Sequence, residues 1–473
     1  MDSDQRIFAN KYRFFMVSAL AGFIATLDAS IVNVSLPTLS RVFSADVDLV
    51  AWVILAYSLT ITALLLLVGR IAARKGYRLV YMVGFAFFTL GSAACAVSFS
   101  ITQLIASRIL QGIGAAFMMS AGPALVARGF PPSERGKSLG LFGTVIGAGL
   151  MTGPPLGGFL ISTVGWRWIF IINLPIGVFG FFYAAKYLKL IDPDHPESRI
   201  DYFGGACQAV GLILLLLFFN RLSQPGWSSA MLYGVLAVAL AALALFFWRE
   251  THTDSPLIGL SIFANIRFTI ALATMTVLFI SSSAGLVMIP FYLEEVLHQA
   301  PAQVGLILMT IPVCMFLIAP WAGRLSDAIG DRIPTTVGLV VYTIGTFLIA
   351  TLNENSRPVD LVWRLIIVGA GSAIFASPNS SAMLSSIPKR FMGIASGLQA
   401  TARNLGITAG VAISTAVFAH RYSTYQLTVD ATQSFVQAFR WVINAFAFVA
   451  VVALMISLLR IKQPLPKEPE GES

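Results

Sequence analysis

Apolar residues run in blocks of about twenty along nearly the whole chain, separated by short polar segments that carry most of the charge. At 1.5 Å of rise per residue, a block of that length matches the ~30 Å hydrocarbon core of a bilayer. The blocks predict membrane-spanning helices at 13–36, 50–69, 79–98, 101–126, 138–161, 169–187, 203–222, 231–248, 268–290, 302–323, 335–352, 361–384, 394–419 and 436–459. Fourteen spans bring the chain back to the side on which it starts. The expected fold class is an all-α polytopic membrane protein, with too little polar sequence left over for a soluble domain.

Charge orients this pattern. With the N-terminus inside, inner loops and tails hold 22 Lys and Arg, and the outer ones hold seven: Arg41, Arg167, Arg221, Arg357, Arg364, Arg421 and Arg440. That bias predicts both termini in the cytoplasm; the expected location of this multi-pass protein is a bacterial inner membrane. The net charge of +9 comes from these scattered loop residues and not from one basic patch, which argues against nucleic-acid binding. A charged fraction of 11%, against about 25% in soluble domains, excludes an ordinary cytosolic protein. Cys95, Cys207 and Cys314 lie inside apolar runs and read as small core residues. The N-terminal segment leads into a full-length span without an A-x-A site, so no cleaved signal peptide is expected. No metal-ligand spacing, nucleophile pattern or phosphate-binding loop appears, so neither an enzyme, a metal site nor ATP drive is expected.

An internal repeat divides the chain. GRIAARKGYR (69–78) follows the second span and GRLSDAIGDR (323–332) follows the tenth, with glycines at matching positions. An offset of eight spans fits two sets of six helices around a central pair, with a site between the sets near the bilayer midplane. The expected units are 1–190, a six-helix bundle; 191–256, a loop and two additional helices; and 257–473, a second six-helix bundle with a tail.

LDASIVNVSLP in the first span, WVILAYSL in the second, the GRIAARKGYR turn, LIASRILQGIGAA in the fourth, GLMTGPPLGG in the fifth, WRWIFIINLPIG entering the sixth and PLIGLSIF before the ninth occur in that order. Together they resemble the major facilitator superfamily, and within it the fourteen-span drug:proton antiporters of the QacA and EmrB type. The resemblance implies a proton-coupled multidrug exporter without cofactors, working on small molecules and protons among membrane lipids. It is expected to act as a monomer, and the sequence carries no sign for or against a periplasmic adaptor.

Two charges stand out inside spans. Asp28 lies ~21 Å along the first span from the inner side and Arg108 ~10 Å into the fourth from the outer side, so they share a depth. Charges there are costly and mark ion or substrate paths. Asp28 is read as the proton site and Arg108 as the partner that adjusts it, in line with the roles the resemblance implies; a static ion pair is the alternative. Thr26, Ser30, Asn33 and Pro37 form a second polar face of the same helix, one face to line a cavity and the other to pack.

Gly149, Gly153, Pro154, Gly157 and Gly158 predict a close, bendable contact in the fifth span. The basic turns supply further gating candidates: Gly69, Arg70, Arg74, Gly76 and Arg78, with Gly323, Asp327 and Arg332. The first turn departs from the family pattern by carrying Ala73 where an acid is usual, which shifts attention to Asp327 with Arg324 and Arg332. Candidate cavity residues are Asn33, Tyr57, Gln111, Phe117, Phe142, Met288, Tyr292, Glu294, Gln399 and Arg403. Glu294 and Glu295 read more readily as solvated interfacial acids, and Arg403 as a contact for an anionic group or a helix C-terminus. The favoured cargo is amphipathic and cationic or neutral; an endogenous anionic or lipid-like metabolite is the alternative, and a membrane enzyme or sensor the remotest.

Overall fold

The computed structural model describes residues 8–131, 134–190, 200–221, 228–253, 256–258, 260–387 and 392–460. Among them are fourteen helices long and apolar enough to cross a membrane, and no strand. They are α1 (Lys11–Phe43), α2 (Val47–Lys75), α3 (Tyr77–Ala96), α4 (Ile101–Gly129), α5 (Ser138–Thr163), α6 (Trp168–Tyr187), α7 (Tyr202–Phe219), α8 (Ser229–His252), α9 (Ile266–Val296), α10 (Pro301–Ile329), α11 (Arg332–Ile349), α12 (Pro358–Ser385), α13 (Gly397–Tyr425) and α14 (Ala431–Leu458).

Several helices outrun the apolar blocks that predict them. α1 continues through Pro37 and stops only at Ser44, which takes the left-handed conformation at φ 49°. Breaks fall where the backbone ladder is weak. α6 is interrupted at Ile172, close to where Pro175 cannot donate to the carbonyl of Ile171. This break stands directly before Asn173, a residue that matters below.

α1 packs chiefly on α5 and α4, α3 on α4, and α2 on α4; the later helices repeat this with α9 on α13, α11 on α12 and α10 on α12. α7 and α8 pack on each other, and α7 also touches α2 and α13. In α1 72% of the apolar stretch is buried, against 11% in α8, so α1 is an interior helix while α8 turns most of its surface outward.

The sequence repeat has a backbone counterpart. Gly76 and Gly330 end α2 and α10 with nearly the same left-handed geometry (φ 89° and 86°), and each donates its N–H four residues back, to Ala72 and Ser326. A side chain at either position would be strained. The helix crossings recur as well: Gly114 of α4 lies against the Gly84 carbonyl and Phe88, and Gly371 of α12 lies against the Gly338 carbonyl and Tyr342.

Candidate functional site

Asp28 is completely buried, and so in effect are Arg108, Gln111 and Asn173 around it. Arg108 Nη1 donates to Asp28 Oδ2 at 2.5 Å; Gln111 Nε2 and Asn173 Nδ2 donate to Oδ1 at 2.7 and 2.8 Å. The equal depth expected of Asp28 and Arg108 thus corresponds to a direct ion pair between α1 and α4. Arg108 is held from further sides. Its Nε donates to the carbonyl of Val53 at 3.0 Å, Nη1 also reaches Gln111 Oε1 at 2.5 Å, and the guanidinium lies 4.0 Å from the centre of the Tyr57 ring. Tyr57 in turn donates its hydroxyl to the carbonyl of Ala25, and Gln111 donates to Ser92 Oγ.

Local sequence explains the convergence. Arg108 and Gln111 are three residues apart, hence neighbours on one face of α4. Gly91 lets α3 approach Gln111 so closely that a Cβ there would meet its backbone. The break in α6 brings Asn173 in from a third direction. Asn173 and Ser92 were not singled out in the sequence; the available signal was a lone amide just ahead of Pro175 in an apolar run.

Burial redraws the list of cavity candidates. Tyr57 (2% exposed) and Gln111 (0%) belong to the Asp28 cluster and line no open space. Met288 and Tyr292 are core residues: Tyr292 stacks on Phe439 and donates to the carbonyl of Asn353. Phe142 packs into the space left by Gly22 and Gly122. In each case the large apolar body is better removed from water than presented to it. Asn33 is buried with its Oδ1 unpartnered. Phe117, Gln399 and Arg403 are half-buried, and Gln399 donates to Ser380 Oγ at 2.8 Å.

The second polar face of α1 is the packing one. Thr26 and Ser30 donate to the carbonyls of Ile146 and Gly149 on α5. A Cβ at Gly149, Gly153 or Gly157 would run into Thr26 Oγ1, Ser30 Oγ or Ile31, and one at Gly158 into the backbone of Pro301. Pro154 completes the contact, its carbonyl lying against Gly305 of α10.

Glu294 departs from the solvated reading. It is 6% exposed, and Arg41 Nη2 donates to its Oε2 at 2.5 Å while Nη1 donates to Glu295 Oε1 at 2.8 Å. A turn of π-helix at Tyr292–Val296 presents both acids to one guanidinium. This clasp joins α1 to α9 at the membrane face opposite the chain termini, the same face as the Gly158–Pro301 contact. Beside it lies a cavity of about 850 Å³ bordered by Arg41, Glu295, Trp52 and Phe291.

On the termini side, Asp327 is exposed and forms no ion pair with Arg324 or Arg332 among the described residues; the pairing there is Asp331 with Arg460, at 3.1 Å. Among the described residues Arg332 donates to the carbonyl of Leu458. Arg70 donates to the carbonyls of Pro256 and Leu257, and Glu250 accepts from the amides of Leu257 and Ile258. The segment after α8 is therefore gripped from both sides, and Arg70 has acceptors although position 73 carries no acid. Arg78 donates to the carbonyl of Ala185. Gly69 and Gly323 stand near the ends of their helices, Gly69 with nothing close to its missing Cβ, and Arg74 is half-buried.

A family model for the Major Facilitator Superfamily matches residues 18–203, 203–411 and 270–473. The chain belongs to the Major Facilitator Superfamily. Within this superfamily it is 32% identical over 445 residues to the riboflavin transporter RibZ of Clostridioides difficile, a match covering 93% of this chain and 96% of that protein. It is 31% identical over 405 residues to the multidrug resistance protein Stp of Mycobacterium tuberculosis, covering 85% and 75%. Solved structures share the fold at lower identity. A peptide transporter POT in complex with sulfate superposes with TM-score 0.69 at 17% identity (97% and 98% covered), and the xylose transporter XylE from E. coli with 0.63 at 14% (94% and 97%). The facilitator is accordingly a multi-pass membrane transporter of small molecules, not an enzyme.

Proposed function

We propose that this transporter is a proton-coupled exporter of amphipathic compounds, related to the fourteen-span drug:proton antiporters, with Asp28 as its proton site. The observation that carries this reading is a carboxylate at membrane depth whose oxygens are fully occupied by Arg108, Gln111 and Asn173. Removing one partner from such a cluster costs several kcal/mol, but a proton can neutralise Asp28 reversibly. Arg108 has ready acceptors once released: the Val53 carbonyl, Gln111 Oε1 and the face of Tyr57. The Oδ1 of Asn173 is buried without a partner, so a turn of that amide would offer the protonated carboxyl an acceptor.

Asp28 and Arg41 lie on one helix, thirteen residues or ~20 Å apart. A shift of α1 that follows protonation would load the Arg41–Glu294 clasp directly. In this reading α1–α6 and α9–α14 rock about the contact of Pro154 and Gly158 of α5 with α10, α7–α8 stay at the edge, and the structure stands closed on the outer side. The Lys and Arg bias supports cytoplasmic termini in a bacterial inner membrane, and the proton gradient replaces any cofactor. Relatives named for multidrug resistance support a cationic or neutral drug as cargo; the relative named for riboflavin supports an endogenous metabolite. The test is efflux of a cationic dye from proteoliposomes with and without a pH gradient. Gradient-dependent efflux is expected, and its loss in Asp28→Asn; efflux indifferent to the gradient overturns the reading.

A further inference from the structure

Arg403 is the intramembrane candidate charge that the transport cycle above leaves unused. It stands on α13 one turn before Gly406, whose missing Cβ brings α13 against the carbonyl of Thr276 on α9. Thr276 is ten residues into α9, so Arg403 starts ~10 Å inside the membrane, measured from the termini side. Among the described residues it has no carboxylate, carbonyl or amide oxygen as a partner. Arg108, the other arginine well inside a span, has Asp28, Gln111 and the Val53 carbonyl.

An unpaired guanidinium at this depth is unfavourable unless water or an anion reaches it. Arg403 is half-buried, so one side of it borders open space. Gln399, on the same face one turn away, is also half-buried and donates to Ser380 of α12. This pair supplies donors and no counter-charge, a composition suited to an oxyanion and unsuited to a cation.

We propose that Arg403, with Gln399 one turn away on the same face, forms an anion subsite that takes the carboxylate or phosphate of an organic cargo molecule. It rests on the transport reading for its role in export, and on these two side chains alone for binding. The same chemistry would suit a lipid phosphate, because side chains on α13 lean toward its N-terminus and so toward the headgroups on the termini side. Cargo is favoured because α13 packs on α9 and α2 at the seam between the first six and last six helices.

Two xanthene dyes of opposite charge, fluorescein and rhodamine 6G, make the comparison direct. Binding is measured by fluorescence anisotropy on the full chain in nanodiscs of phosphatidylcholine, with thermal unfolding recorded in phosphatidylcholine and in phosphatidylglycerol. Arg403→Gln is expected to weaken fluorescein about tenfold or more, the size of one charge-assisted hydrogen bond, while leaving rhodamine 6G unchanged or tighter. Arg403→Lys should retain part of the fluorescein affinity. Because Arg403 makes no hydrogen bond or ion pair among the described residues, Arg403→Gln breaks none, and an unfolding temperature close to that of the parent confirms that the variant is folded. Equal fluorescein binding by parent and Arg403→Gln overturns the subsite. So does a result in which the substitution abolishes only the stabilisation by phosphatidylglycerol, which assigns Arg403 to lipid. Fluorescein binding that depends on Arg403 without gradient-driven transport would sustain the subsite and defeat the proton-coupling reading. Gradient-driven rhodamine 6G efflux with no Arg403-dependent binding would do the reverse.

Discussion

The two repeats solve the same packing problem with different chemistry at one point. Gly149 of α5 lies against the Phe23 carbonyl and the Leu27 amide of α1, and Gly406 of α13 lies against the Thr276 carbonyl and the Ile280 amide of α9. Gly153 meets Ser30, and Gly410 meets Ser283. That register places Ser281 where the first repeat has Asp28. The Gly114–Gly84 and Gly371–Gly338 crossings likewise place Leu365 at the position of Arg108 and Val368 at that of Gln111. Gly91 and Gly345 confirm the last match, since they lie against Gln111 and Val368 respectively. The second repeat therefore holds the same helix crossings with a hydroxyl, a leucine and a valine. An ion pair is not needed to join these helices, and its presence in the first repeat calls for another reason. Reversible protonation supplies one, which weighs against a static pair as the whole account of Asp28.

The most severe break in this comparison is Asp28→Asn. Asparagine keeps the shape and can still accept from Gln111 or Asn173, but it neither ionises nor takes up a proton. Gradient-driven efflux should fall to the level of empty liposomes while the protein remains folded, as judged by its thermal transition. Efflux that still follows the pH gradient in this variant would remove Asp28 from the coupling step.

Importing the second repeat's residues sharpens the point. Arg108→Leu leaves a buried carboxylate without its counter-ion and should lower stability by ~3–5 kcal/mol. Asp28→Ser with Arg108→Leu removes both charges together and should recover most of that loss, because apolar replacement of a buried pair is often neutral or better. Transport coupling should stay absent in both. The readout is chemical denaturation in detergent alongside efflux. A double variant as unstable as the single one would mean that the pair has a structural duty that the second repeat meets in some other way.

How much of this could be read in the sequence follows from the physics of each signal. Fourteen apolar blocks and the paired glycine turns were legible because membrane thickness and left-handed backbone leave direct marks on sequence. Asp28 and Arg108 stood out because charges are rare at such depth. Asn173 did not, since a single amide is cheap enough to pass as ordinary helix polarity, and only the break before it aims it at Asp28. Tyr57 and Gln111 were visible as polar or aromatic positions, yet a residue that closes a buried cluster and one that lines a cavity look alike in one dimension. The Arg41–Glu294 clasp joins residues 253 positions apart, a separation that hydropathy patterning does not register.

Packing at the glycine contacts should matter similarly in the two repeats. Gly153→Ala drives a methyl group into Ser30, and Gly410→Ala drives one into the Ile280 carbonyl and Ser283. Each should cost ~1–3 kcal/mol by overpacking. Gly158, which lies against the Pro301 backbone of α10, is the α5 glycine that crosses to the second set, so Gly158→Ala should slow efflux beyond what its stability loss explains, and Gly153→Ala and Gly410→Ala should not. Equal slowing by all three would place the motion evenly across these contacts.

Ser281→Ala gives the smallest expected effect and the cleanest control, because it alters the residue that occupies the Asp28 position in the second repeat. Ser281 Oγ donates to the carbonyl of Phe446 at 2.8 Å and lies 3.3 Å from the Tyr342 hydroxyl. Losing that donor should cost ~1 kcal/mol, the net worth of one buried hydrogen bond. Nothing ionisable changes, so the ratio of efflux with a pH gradient to efflux without one should match the parent even if both rates decline. A drop in that ratio would mean that the hydroxyl takes part in coupling. The contrast between a charged first repeat and a neutral second one would then no longer favour Asp28 as the sole proton site, and the proposed role would have to be shared with α9.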